Sequence, residues 1–95
     1  MRAEIDALLD RLQASGCQFE RNGAWYGSAD ARAHLLRKLE YVERRRTLQS
    51  AEQFIDLIGS SSSSSGEPYR VKCGAAAPVQ SRQWLTRELS ALRRQ

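Results

Sequence analysis

One histidine, two cysteines and a run of six serines carry most of the chemistry open to this 95-residue chain. His34 stands four residues after Asp30 and four before Lys38, so the three share one helix face. With hydroxyls plentiful from Ser60 to Ser65, that set contains a base, a cation and nucleophiles. A hydrolase using the Ser-rich loop with His34 and Lys38 is therefore one reading. No Gly-x-Ser-x-Gly elbow accompanies it, and a catalytic triad is defined by geometry rather than inventory. A half-buried histidine bonded to a loop carbonyl or hydroxyl is the simpler expectation, with no catalytic residue assigned. No metal and no cofactor is expected, because one histidine and two cysteines match no standard zinc spacing. Cys17 and Cys73 leave three possibilities open: a redox pair, two free thiols or a structural disulfide. Without a Cys-x-x-Cys motif, a thioredoxin-like centre is the weakest of them.

The net charge is +4, from 15 Lys and Arg against 11 Asp and Glu, and the excess is uneven. Arg32, Arg37, Lys38, Arg44, Arg45 and Arg46 crowd residues 32–46, and Arg82, Arg87, Arg93 and Arg94 crowd residues 82–95. A cytoplasmic polyanion binder is a second reading. No nucleic-acid motif accompanies the charge, so solvated helix faces are favoured and nucleic acid is not the expected partner. No apolar run approaches the roughly 20 residues of a membrane span.

These residues need elements to position them. Ile5, Leu8, Leu9 and Leu12 form the stripe of an amphipathic helix over 3–14, stopped by Ser15-Gly16. Asn22-Gly23 is a strong hairpin turn, because both residues tolerate the positive φ of a type I′ turn. Phe19, Trp25 and Tyr26 flank it, so residues 17–21 and 24–27 read as paired strands, with most of these aromatics expected in the core. Ser28 is the expected cap of a second helix, from about Ala29 to Arg45. Ala31, Leu35, Leu39 and Val42 form its buried stripe, and His34, Lys38 and Tyr41 form a polar one. Ser50-Ala51-Glu52-Gln53 is a capping box opening a short helix that Gly59 ends. Ser60–Ser65 has the composition of a linker. Tyr69, Val71 and Cys73 alternate in a third strand, and Ser81 is the expected cap of a last helix carrying Trp84, Leu85, Leu89 and Leu92.

The order is α-β-β-α-α-β-α in a single domain, residues 1–95. It predicts an α+β fold: a three-stranded antiparallel sheet, hairpin 17–27 plus strand 69–73, packed with about four helices. Pairing the third strand with the hairpin brings Cys17 near Cys73. A hydrophobic content of 41% suits a modest core, and a chain this short gains from a staple.

Several blocks resemble the YfeK-like domain, a small bacterial family of unknown function. They are Ser15-Gly16-Cys17 with Phe19 and Arg21-Asn22-Gly23, Trp25-Tyr26, Ala31 with His34-Leu35 and Lys38, and Ser50-Ala51-Glu52 with Phe54-Ile55. Further blocks are Ser62-Ser63 with Ser65-Gly66 and Pro68-Tyr69, Val71 with Cys73, and Trp84-Leu85. The resemblance covers about residues 4–93. It implies a periplasmic or secreted protein, although Met1-Arg2-Ala3-Glu4 leads straight into the first helix and no signal peptide is visible in this chain. In an exported small domain, a Cys17–Cys73 disulfide fits best. The resemblance further implies that Ser62, Ser63, Ser65, Gly66 and Tyr69 belong to an ordered element, with Arg21, Asn22, His34 and Lys38 near it. The leading expectation is thus a non-enzymatic module binding an unknown protein or small ligand.

Overall fold

A computed structural model describes residues 1–95. The elements run α1 (Arg2–Ser15), β1 (Gln18–Arg21), β2 (Ala24–Tyr26), α2 (Ser28–Glu43), α3 (Ala51–Phe54), β3 (Arg70–Lys72), β4 (Val79–Gln80) and α4 (Ser81–Arg93). A π-helical segment, Ile55–Gly59, continues α3 directly. The class is α+β, but the sheet has four antiparallel strands in the order β2-β1-β3-β4, rather than three. The added strand is two residues long. It follows Pro78 and hydrogen-bonds only to β3, so it left no alternating pattern in the sequence.

Local chemistry explains the entry to the sheet. Gly16 ends α1 in the left-handed conformation, with φ 66°. The hairpin turns through Asn22 and Gly23 at φ 51° and 84°, the two positive values of a type I′ turn. Register then sorts the faces. Tyr26, Phe19, Val71 and Val79 stand in one cross-strand row, and Trp25, Glu20, Arg70 and Gln80 stand in a row on the opposite face. Phe19 and Val71 are buried under the helices. The other face is solvated, where Arg70 pairs with Glu20 and lies 6.0 Å from the Trp25 ring. Of the hairpin aromatics only Phe19 is core; Trp25, on the solvated face, and Tyr26, at an open cleft beside α2, stay 38% and 39% exposed.

One residue past the β1–β3 ladder, the same register sets Cys17 opposite Cys73. Their Cα atoms are 4.4 Å apart, the spacing of a non-hydrogen-bonded antiparallel pair, and their sulfurs are bonded. At the other end of that ladder it sets Arg21 opposite Tyr69.

The core is continuous. Ile5, Leu8, Leu9 and Leu12 of α1 meet Ala31, Leu35 and Leu39 of α2, with Phe54, Ile58 and Leu85 closing it. Ser50 caps α3 by accepting from the Gln53 amide, while Gln53 Oε1 accepts from the Gln49 amide. Gly59 does not end a helix by a left-handed turn. It is the last residue of the π segment, where a Cβ would meet Leu85 Cδ1 at 2.6 Å, so its missing side chain lets α4 approach. Ser28 and Ser81 are the first residues of their helices, and Gly27 and Gln80 hold the cap positions. Ser28 instead donates to the carbonyl of Gln13, a tertiary bond between α2 and α1.

Candidate functional site

The polar stripe of α2 faces the sheet at the hairpin. Tyr69 is 1% exposed, and its ring packs 4.9 Å from Phe19. Its hydroxyl is the meeting point of two α2 side chains: His34 Nε2 at 3.1 Å and Lys38 Nζ at 3.3 Å. The Lys38 ammonium also donates to the carbonyls of Ile58 at 3.1 Å and Ser61 at 2.7 Å. It therefore satisfies a carbonyl near the end of the π segment, an orphan of the terminating helix, and one in the loop after it. Lys38 donates to the phenol oxygen, and His34 Nε2 accepts the phenol proton in the neutral tautomer that carries its own proton on Nδ1.

Electrostatics agree with a neutral imidazole. Burial lowers the His34 pKa, and the cations Arg21, Lys38 and Arg37 lower it further. Burial also lowers that of Lys38, again with Arg21 acting against the charge. Burial raises that of Tyr69, which the adjacent Arg21 partly offsets. Every charged neighbour acting on His34 and Lys38 is a cation.

Beside this network lies an open cleft of about 240 Å³ between the hairpin and α2. Phe19, Arg21 and Tyr26 line it from the sheet. Asp30, Ala33, His34 and Arg37 line it from α2, at the i, i+3, i+4, i+7 spacing of one helix face. The small Ala33 leaves the room. Arg21 Nε is sealed from water and has no hydrogen-bond partner, and neither Arg21 nor Arg37 is in an ion pair. Asp30 is the one carboxylate on the cleft wall.

The serines form a separate group. Asn22 reaches from the hairpin turn into the loop: its amide donates to Ser62 Oγ at 3.3 Å, and its carbonyl accepts from Ser65 Oγ at 2.6 Å. The backbone closes the loop through Ser62 to Glu67, Gly66 to Ser62 and Tyr69 to Ser60 hydrogen bonds, beside a Ser61–Pro68 bridge. Ser63 is exposed and has no side-chain partner. No serine hydroxyl is bonded to His34 or Lys38; the hydroxyl that meets His34 is that of the buried Tyr69. The basic stretches are partly neutralised, with Arg32 on Asp10, Arg82 on Asp56 and Arg93 on both Glu4 and Glu52.

A family of unknown function (DUF5329) matches residues 1–93. The chain belongs to this family. The uncharacterized protein YfeK of Salmonella typhimurium is 41% identical over 68 residues, which are 70% of this chain and 55% of that protein. The chain thus spans about half the length of this curated relative. No solved structure matches. Membership brings no activity with it, so the cleft must be judged on its own chemistry. Sequence reasoning missed Arg37 and Ala33 as cleft residues, and weighed Phe19, Trp25 and Tyr26 as an aromatic platform for a peptide, glycan or lipid while favouring the core for most of them. The 30-33-34-37 spacing was the available signal, but only the fold shows that this face looks onto a sheet edge rather than water.

Proposed function

We propose that this chain is one exported domain, a disulfide-stapled module that binds the anionic group of a ligand or partner in the cleft between the hairpin and α2, without catalysing a reaction. One observation carries the reading: the Arg21 guanidinium is partly sealed from water, with a buried Nε that no protein acceptor satisfies. A buried donor left unpaired costs roughly 1–3 kcal/mol, more when charged. The Arg21 side chain lines the open cleft, where an anion lowers the cost of a charge that has no ion-pair partner, and Arg37 across the cleft adds a second guanidinium suited to carboxylate or phosphate. The Cys17–Cys73 bond supports an oxidising compartment, the periplasm or outside the cell.

The test uses the protein's one histidine as a reporter. Titrating with succinate and with inorganic phosphate should shift the His34 ring resonances saturably, and Arg21→Gln should abolish the shift. No saturable shift with either anion would overturn the reading.

A further inference from the structure

A small anion would leave two features of the hairpin unused. The first is the edge itself. β2 has β1 as its one hydrogen-bonded neighbour, and Ala24, Trp25 and Tyr26 are all exposed. Edge strands carry a row of unpaired N–H and C=O groups, and proteins blunt them with proline, lysine, brevity or cover. The far edge is blunted in this way: β4 has two residues, follows Pro78 and runs straight into α4. β2 is short too, three residues with one more before α2, but it has no proline or lysine, and α2 packs mainly on α1, β1 and the π segment. The second feature is alternation. In a strand laid along β2, every second side chain falls on the helix side, beside Ala24 and Tyr26 at the cleft. The ones between fall on the outer side, beside Trp25.

We propose that β2 is a docking edge for an extended acidic segment of a partner protein, which adds as a fifth strand and places an Asp or Glu carboxylate in the cleft against Arg21 and Arg37. Main-chain hydrogen bonds supply affinity in such complexes, and pockets for alternate side chains supply specificity. At about 240 Å³ the cleft falls below the roughly 300–1,000 Å³ of sites for drug-sized ligands and suits one side chain. The exposed Trp25 indole offers an apolar surface to the neighbouring residue of the same segment. A second copy of this chain is the poorer occupant. Its own β2 side chains are Ala, Trp and Tyr, so edge-to-edge pairing would bring two cationic clefts together and supply no carboxylate.

The proposal rests on the anion reading of the cleft and adds the strand, so the test separates the two. The probe is a capped peptide, acetyl-Thr-Val-Glu-Val-Thr-amide, with a Glu→Gln twin and a twin N-methylated on alternate backbone amides. With the unaltered protein followed by amide resonances, the Glu peptide should perturb Ala24, Trp25, Tyr26 and the His34 ring together. The Gln twin should bind at least about tenfold more weakly, the loss of one charge-assisted hydrogen bond. The N-methylated twin should lose binding in one of its two registers of methylation. If succinate shifts His34 but the Glu peptide binds no better than succinate, or all twins bind alike, the docking edge is overturned and the anion site stands. If neither probe shifts His34, both readings fall. A dimer in sedimentation, with the β2 amides protected from exchange, would also overturn the docking edge.

Discussion

Lys38 and Arg21 are cations on facing elements of the same polar region, yet their surroundings differ. The Lys38 ammonium has three acceptors, two of them carbonyls that would otherwise be orphaned. Arg21 has a sealed Nε with no acceptor and looks onto an open cleft. A cation whose donors are all spent within its own chain, on two carbonyls and a buried phenol, holds the fold together. A cation kept partly dry and unpaired weakens the fold, and the arrangement becomes favourable once something else brings the anion. The same contrast separates the sheet edges, with β4 blunted and β2 bare.

The strongest test removes the frame that both regions share. Cys17→Ala frees β3, and with it Tyr69, from β1. The chain-entropy model puts closure of a loop with sequence separation 56 at roughly 4 kcal/mol. Urea denaturation should show a loss of that order, and thiol titration of the non-reduced native protein should find no free thiol. Two titratable thiols would remove the frame from the comparison.

Lys38→Met should come next. It keeps most of the aliphatic stem and strips three hydrogen bonds from buried acceptors, for a loss of about 2–3 kcal/mol in denaturant unfolding. Arg21→Gln and Arg37→Gln should each stay within about 0.5 kcal/mol of the parent or stabilise it, because they relieve repulsion among cations. If Arg37→Gln costs more than Lys38→Met, the division between a structural and a binding cation is wrong.

A smaller effect is expected at the loop anchor. Asn22→Ala loses both bonds to Ser62 and Ser65 and puts alanine at φ 51°, for about 1–2 kcal/mol. Hydrogen exchange should then quicken at the amides of Ser62, Gly66 and Tyr69, which are protected in the parent, while Ser63 exchanges fast in both.

The smallest effect is the pH dependence of His34. Its folded pKa is lowered, so below the ordinary value near 6.5 the unfolded chain takes up the proton more readily than the folded one. This contribution is fully present above that value and is lost as pH falls through the folded pKa. His34→Gln should flatten the slope in that window. Arg21→Gln should move the imidazole pKa up, because one of the cations lowering it is gone. An unchanged value in the Arg21 variant would mean that Arg21 is not among the cations that lower it.

Much of the fold was legible because its causes are local. Asn22-Gly23 dictates its turn by φ preference, Gly16 its helix stop, Ser50 and Gln53 their cap, and the leucines of α1 and α2 their buried faces. Ser28 and Ser81 were misplaced by one residue: the Ser28 hydroxyl makes a tertiary bond to Gln13 that only distant chain can supply, and the Ser81 hydroxyl is buried without a partner. The site was legible as an inventory. His34, Lys38 and Tyr69 stood out as types, but the composition of Ser60–Ser65 suggested a linker, and only the family resemblance pointed to an ordered loop near His34 and Lys38. The order of that loop comes from Asn22, some forty residues away.

The sequence by itself determined which residues turn, cap and alternate, since these follow from backbone sterics and side-chain period within a few residues. Only the tertiary structure decided which cation is spent and which is spare. Lys38 and Arg37 are neighbours in the chain with similar charge. A helix turns about 100° per residue, which points one at the carbonyls of Ile58 and Ser61 and the other at the cleft beside a bare sheet edge.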